Sequence, residues 1–186
     1  MKKAMILLAD GFEDVEAFTV VDLLRRARIT CDMISMSERK SVTASHGITV
    51  TADVKFTKAE LDSYQALILP GGLRGTDALR EDFRVLQLVR DYHDAQLLTA
   101  AICAAPTVFG RAGILEEKRA CCYPGLESGL IGAEVCYDPV VVDGNIVTSR
   151  GLGTALPFAL TLVRLLAGEE EQKRLAGKIV YSGPLY

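Results

Sequence analysis

At 186 residues with 49% hydrophobic and 24% charged side chains, the chain has the length and composition of one globular domain, which excludes disordered, collagen-like and coiled-coil classes. A net charge of −3 leaves no surplus of Lys and Arg for a phosphate backbone or an anionic bilayer, so neither nucleic acid nor membrane is an expected partner. Five cysteines form an odd set with no C-x-x-C pair, and two histidines are too few to complete a zinc site; free thiols and a reducing cytoplasm follow.

The opening MKKAMILLA imitates a secretory leader, but its apolar stretch, Ala4–Ala9, is short and runs straight into DGFEDVE, so it reads as a first buried strand. Further apolar runs follow at Thr30–Met36, Ala66–Leu69, Leu97–Ile102 and Ile146–Ser149, each bounded by turn residues. Runs apolar along their whole length suit parallel strands covered on both faces. Helical spacing appears in Val20, Val21, Leu23, Leu24 and Ala27, in Phe83, Leu86, Val89 and Tyr92, and from Leu156 to Leu166. The first helix spreads apolar residues over more than one face, which calls for two partners, the sheet and a second subunit. Ser45-His46-Gly47 and Asp143-Gly144 mark hairpins. The expected fold is a three-layer α/β sandwich, residues 1–186 forming one domain, with a mostly parallel sheet and helices on both faces.

Chemistry concentrates where strands end. In LLTAAICAAPTVFGRAG a strand closes at Ile102, Cys103 takes the turn and a helix of small residues is expected to start at once, the geometry of a nucleophile elbow. A helix N-terminus and a polar sheet edge lower a thiol pKa, so Cys103 is expected to be the most acidic of the five thiols; the ordinary alternative is a small buried filler. Cys121 and Cys122 are expected to point to opposite faces of a strand, and Cys136 to sit in an irregular segment. Pro70-Gly71-Gly72 ends at the same edge and frees backbone amides for an oxyanion, or merely makes a tight turn. In DGFEDVEAF the acidic residues complement a helix dipole, but Glu16 lies far enough along to reach back toward the elbow. TSRGLGTALPF lacks the third glycine of a dinucleotide fingerprint, leaving Gly151 and Gly153 as turn residues and Arg150 as a candidate anion contact. G-x-S-x-G and G-x-x-x-x-G-K-[ST] are absent from the sequence, and His46 and His93 are poorly placed to serve as bases.

AAICAAP, ADGFEDVEAF, LPGG and TSRGLGTA, in that spacing, resemble the ThiJ/PfpI superfamily, and within it the branch of the parkinsonism-associated protein deglycase and its bacterial YajL-like relatives. The resemblance spans nearly the whole chain. It implies a flavodoxin-like homodimer with Cys103 as oxidation-sensitive nucleophile, Glu16 as its protonated carboxyl partner, and amides of Gly72 and Ala104 at an oxyanion site. It also implies a substrate-binding rim of Arg26, His46 and Arg150, beside Gly71 and Tyr123. Ala104 stands where the protease branch has a histidine, and Tyr123 where the animal branch has another, so a Cys-His protease is not expected. The expected function is removal of α-oxoaldehydes such as methylglyoxal, or their early adducts, by a glyoxalase III or deglycase-like reaction needing no cofactor and no metal. The alternatives are a redox-sensing or chaperone-like protein with an oxidisable Cys103 and, more weakly, a thiazole or thiamine-related role.

Overall fold

A computed structural model describes residues 2–186. The chain runs β1 (Lys3–Leu8), α1 (Asp14–Arg26), β2 (Thr30–Ser35), β3 (Ser41–Thr43), β4 (Thr49–Thr51), β5 (Val54–Lys55) and β6 (Ala66–Leu69). It continues with α2 (Leu73–Glu81), α3 (Phe83–Asp94), β7 (Leu98–Ile102), α4 (Pro106–Ala112), β8 (Arg119–Ala120), β9 (Glu134–Val135), β10 (Val140–Asp143), β11 (Ile146–Ser149), α5 (Ala155–Ala167) and α6 (Glu169–Lys178). Seven strands form the main sheet in the order β10-β11-β7-β6-β1-β2-β5, parallel throughout except for β10 against β11. This is the flavodoxin-like α/β sandwich that the sequence leads one to expect.

β1 shows why. Its side chains alternate between faces, so Ala4, Ile6 and Leu8 enter one core with α1 and α5, while Met5 and Leu7 enter the other with α3 and α4. All five are fully buried, as an interior strand between two helix layers requires. From β1 the chain crosses to β2 on one side, and later to β6 on the other. The loops after β1 and β6 therefore diverge and leave a crevice at the carboxyl ends of the strands.

Four expectations need correction. The second apolar face of α1 packs on α5 within the same chain, so this helix does not by itself call for a second subunit. On α3 the buried face is Val85, Leu88, Val89 and Tyr92, rotated from the expected stripe, and Phe83 is 77% exposed. Cys121 and Cys122 lie beyond the end of β8, and both are buried. The hairpin Ser45-His46-Gly47 joins β3 to β4, with Gly47 at φ 82°, whereas the β10–β11 turn sits one residue later than expected, since Asp143 pairs with Ile146. Among the described residues no helix is long and apolar enough to cross a membrane.

Candidate active site

Cys103 follows β7 directly. Its φ of 64° puts a non-glycine residue in the left-handed region, which costs about 1–3 kcal/mol and persists only where the surroundings impose it. They do so through two main-chain hydrogen bonds: Cys103 N–H donates to the Ser149 carbonyl of β11 at 2.9 Å, and Tyr123 N–H donates to the Cys103 carbonyl at 2.8 Å. The turn occupies residues 103–105 and α4 begins only at Pro106, two residues later than the sequence suggests. The thiol thus stands on a fixed turn, half-buried, at the floor of a cavity of about 790 Å³.

Glu16 reaches it from α1. Its carboxyl is 1% exposed, accepts the Gly71 N–H on Oε2 at 2.9 Å and is hydrogen-bonded to Sγ of Cys103. Glycine at 71 is what permits this approach: a Cβ there would lie 2.5 Å from both Glu16 Oε2 and Cys103 Cβ. Gly72, at φ 87°, lets β6 turn sharply into α2, and its amide, with that of Ala104, donates toward the sulfur.

Burial pushes the Glu16 carboxyl up to about 7, helped by the charges of Glu13 and Asp14 and opposed by the Gly71 amide and Cys103. Burial also pushes the Cys103 thiol up, to about 12, and the Glu16 charge adds to this against the two amides. The surroundings do not lower this thiol as the sequence leads one to expect: desolvation outweighs the two amides at Cys103, as burial also raises Cys31, Cys121 and Cys122. The pair behaves as one unit. Burial raises both groups, and the Glu16 charge raises the thiol further, so neither titrates independently of the other.

Of the other expected residues, Tyr123 and His46 line the cavity, and Gly71 stands behind it against Glu16. Arg26 does not reach it within one chain; it closes the far end of α1, bonded to Asp22 at 2.6 Å, and lines a separate hollow with Arg28, Arg174 and Lys178. Arg150 turns aside toward Tyr137, its guanidinium 5.8 Å from the ring centroid, and is not among the lining residues.

The structure adds a clasp for which no local sequence pattern exists. Ser45 Oγ donates to Glu13 Oε2 at 3.0 Å, and His46 Nδ1 lies 3.0 Å from Asp14 Oδ2, which fastens the β3–β4 hairpin over the start of α1. The Asp14 hydrogen bond, then the charges of Glu13 and Asp14, raise the pKa of the exposed His46 imidazole. Among the described residues Glu13, Asp14 and His46 are the one group whose ligand atoms lie within 4.8 Å of each other, as a metal site requires. Their ion pairing accounts for the arrangement without a metal.

A buried carboxyl and a cysteine on a left-handed elbow, bridged by a glycine pair, can be compared with known proteins. The model of the DJ-1/PfpI family matches residues 2–165. The chain belongs to that family. A DJ-1 relative from Drosophila melanogaster, DJ-1beta, is 36% identical over 177 residues, covering 94% of this chain and 95% of that one. A protein named as a deglycase from Pyrococcus abyssi is 32% identical over 88% of this chain and 99% of its own length. The DJ-1/PfpI fold is equally plain in three dimensions: the crystal structure of Drosophila DJ-1beta superposes with a TM-score of 0.93 over 98% of this chain and 99% of that one, at 35% identity. Oxidized DJ-1 from Toxoplasma gondii gives 0.94 over 98% and 100%, at 29% identity.

Proposed function

We propose that the protein hydrates α-oxoaldehydes such as methylglyoxal to 2-hydroxy acids, with Cys103 as nucleophile and Glu16 as proton carrier. The single observation behind this is the Cys103–Glu16 pair, a buried carboxyl set against a half-buried thiol where the Gly71-Gly72 turn meets the elbow. Sγ adds to the aldehyde carbon as a thiolate, and the carbonyl oxygen takes the proton held by Glu16, giving a hemithioacetal. The Glu16 carboxylate then removes the hydrogen from that carbon; the electron pair moves to the neighbouring carbonyl oxygen, and the enediolate faces the amides of Gly72 and Ala104. Glu16 returns the proton to the neighbouring carbon while the hydroxyl proton passes to the neighbouring oxygen, leaving a 2-hydroxy thioester. Water attacks the thioester, passing one proton to the Glu16 carboxylate and its hydroxyl to the acyl carbon; the C–S bond breaks, and the thiolate and protonated Glu16 are restored. One aldehyde and one water become one hydroxy acid, with no external oxidant or reductant. The deglycase name of the archaeal relative supports a reaction of this class.

The test is lactate formation from methylglyoxal. Wild-type protein should form lactate far faster than small free thiols do, and Cys103→Ala should abolish it; equal lactate from Cys103→Ala overturns the reading. A redox role is the second reading, favoured by one observation: Cys103 opens to the cavity with a carboxyl and two amides positioned to hold oxygens on an oxidised sulfur. In that case peroxide converts Cys103 to sulfinic acid before any other thiol reacts, and aldehyde turnover stays at the level of free thiols.

A further inference from the structure

The cavity at Cys103 is far larger than a three-carbon aldehyde needs, and its two ends differ chemically. Strand order sets the difference. Toward β1 the loops present Asp10, Glu13, Ser45, His46 and Arg74, a charged end; on the β7 side the segment after β8 presents Tyr123, Pro124 and Leu126. The Tyr123 ring is 51% exposed, and its main chain is tied to the elbow. Its amide donates to the Cys103 carbonyl at 2.8 Å, and its ring lies near Gly151, where an added Cβ would lie 3.4 Å from Cδ2. A half-exposed aromatic ring thus lines the same cavity as the nucleophile, an arrangement suited to a flat or apolar ligand group.

We infer, building on the reaction proposed above, that the site takes α-oxoaldehydes bearing an aryl or bulky apolar arm, and that Tyr123 is the residue that selects for this arm. The aldehyde carbon lies at Sγ and the arm lies along Tyr123, Pro124 and Leu126, away from the charged end. The ring, not the phenolic hydroxyl, makes the contact.

The test compares phenylglyoxal with methylglyoxal. Tyr123→Ala should lower the ratio of their kcat/KM values by about tenfold, and Tyr123→Phe should keep the wild-type ratio. An unchanged ratio in Tyr123→Ala, or equal losses on both aldehydes, overturns the assignment, since a merely structural role would act on both alike. A binding measurement separates this from the reaction itself. Calorimetry on Cys103→Ala should show mandelate binding about tenfold or more tighter than lactate, with the advantage lost when Tyr123→Ala is added. If wild-type protein consumes neither aldehyde, the proposed reaction fails, and equal affinity for mandelate and lactate overturns the arm site on its own terms.

Discussion

Glu16 is an ionisable side chain with 1% of its surface exposed, and that burial governs how stability responds to pH. Its carboxyl holds a proton to about 7 in the folded chain, against 4.5 as the ordinary value. Between those two pH values the native state binds a proton that the unfolded state has released. The stabilisation from protonated Glu16 is therefore complete below about pH 4.5 and is lost as pH rises through about 7, a swing on the order of 3 kcal/mol. His46, whose pKa is also raised, loses its contribution in the same direction, so comparison with a variant is needed. Glu16→Gln can still accept from Gly71 and donate to sulfur but cannot titrate. Urea midpoints at pH 5 and pH 8 should differ clearly less in Glu16→Gln than in wild type; equal differences would place the carboxyl in a wetter setting than the one described.

At the scale of elements, the site depends on turns that only certain residues allow. A Cβ on Gly72 would sit 2.3 Å from the Gly11 carbonyl oxygen, and φ at that residue is 87°. Gly72→Ala therefore meets both backbone strain and a backbone clash, and should lower stability by more than the roughly 1–3 kcal/mol of strain alone. Denaturant unfolding measures this directly, and wild-type stability in that variant would contradict the geometry. The same turns were the legible part of the sequence, because strand, glycine pair and cysteine elbow each leave a local pattern. Long apolar runs made the strands β1, β2, β6, β7 and β11 readable to within a residue or so at their ends. Helix α2 was not readable, since LRGTDALRE buries small Gly75 and Thr76 beside Leu79 and has no apolar stripe. Helix α6 was missed for a similar reason: of EEEQKRLAGK only Gln172, Leu175 and Ala176 are buried. Strands β8 and β9, at two residues each, are too short to carry any period. Within the site, Cys103, Glu16 and the glycine pair were legible from strand ends. The Glu13–Ser45 and Asp14–His46 contacts were not, because they join residues 32 positions apart that no local pattern links.

Across the whole molecule, the parallel sheet assembles chemistry from segments remote in sequence. Its switch point between β1 and β6 brings the start of α1 against the Gly71-Gly72 turn, and β7 beside them adds the elbow. No one segment contains the site, yet the three loops converge because their strands are neighbours in parallel register. Membership of the DJ-1/PfpI family agrees with that assembly. The central claim is that Glu16 moves the proton while Cys103 makes the bond. The most direct measurement is methylglyoxal turnover by Glu16→Gln, on protein whose Cys103 still alkylates. Removing the carboxylate charge should leave Cys103 at least as reactive toward iodoacetamide at pH 8 as in wild type, since that charge raises the thiol. Turnover should nevertheless fall by on the order of 10²–10⁴; wild-type turnover in Glu16→Gln would contradict the account.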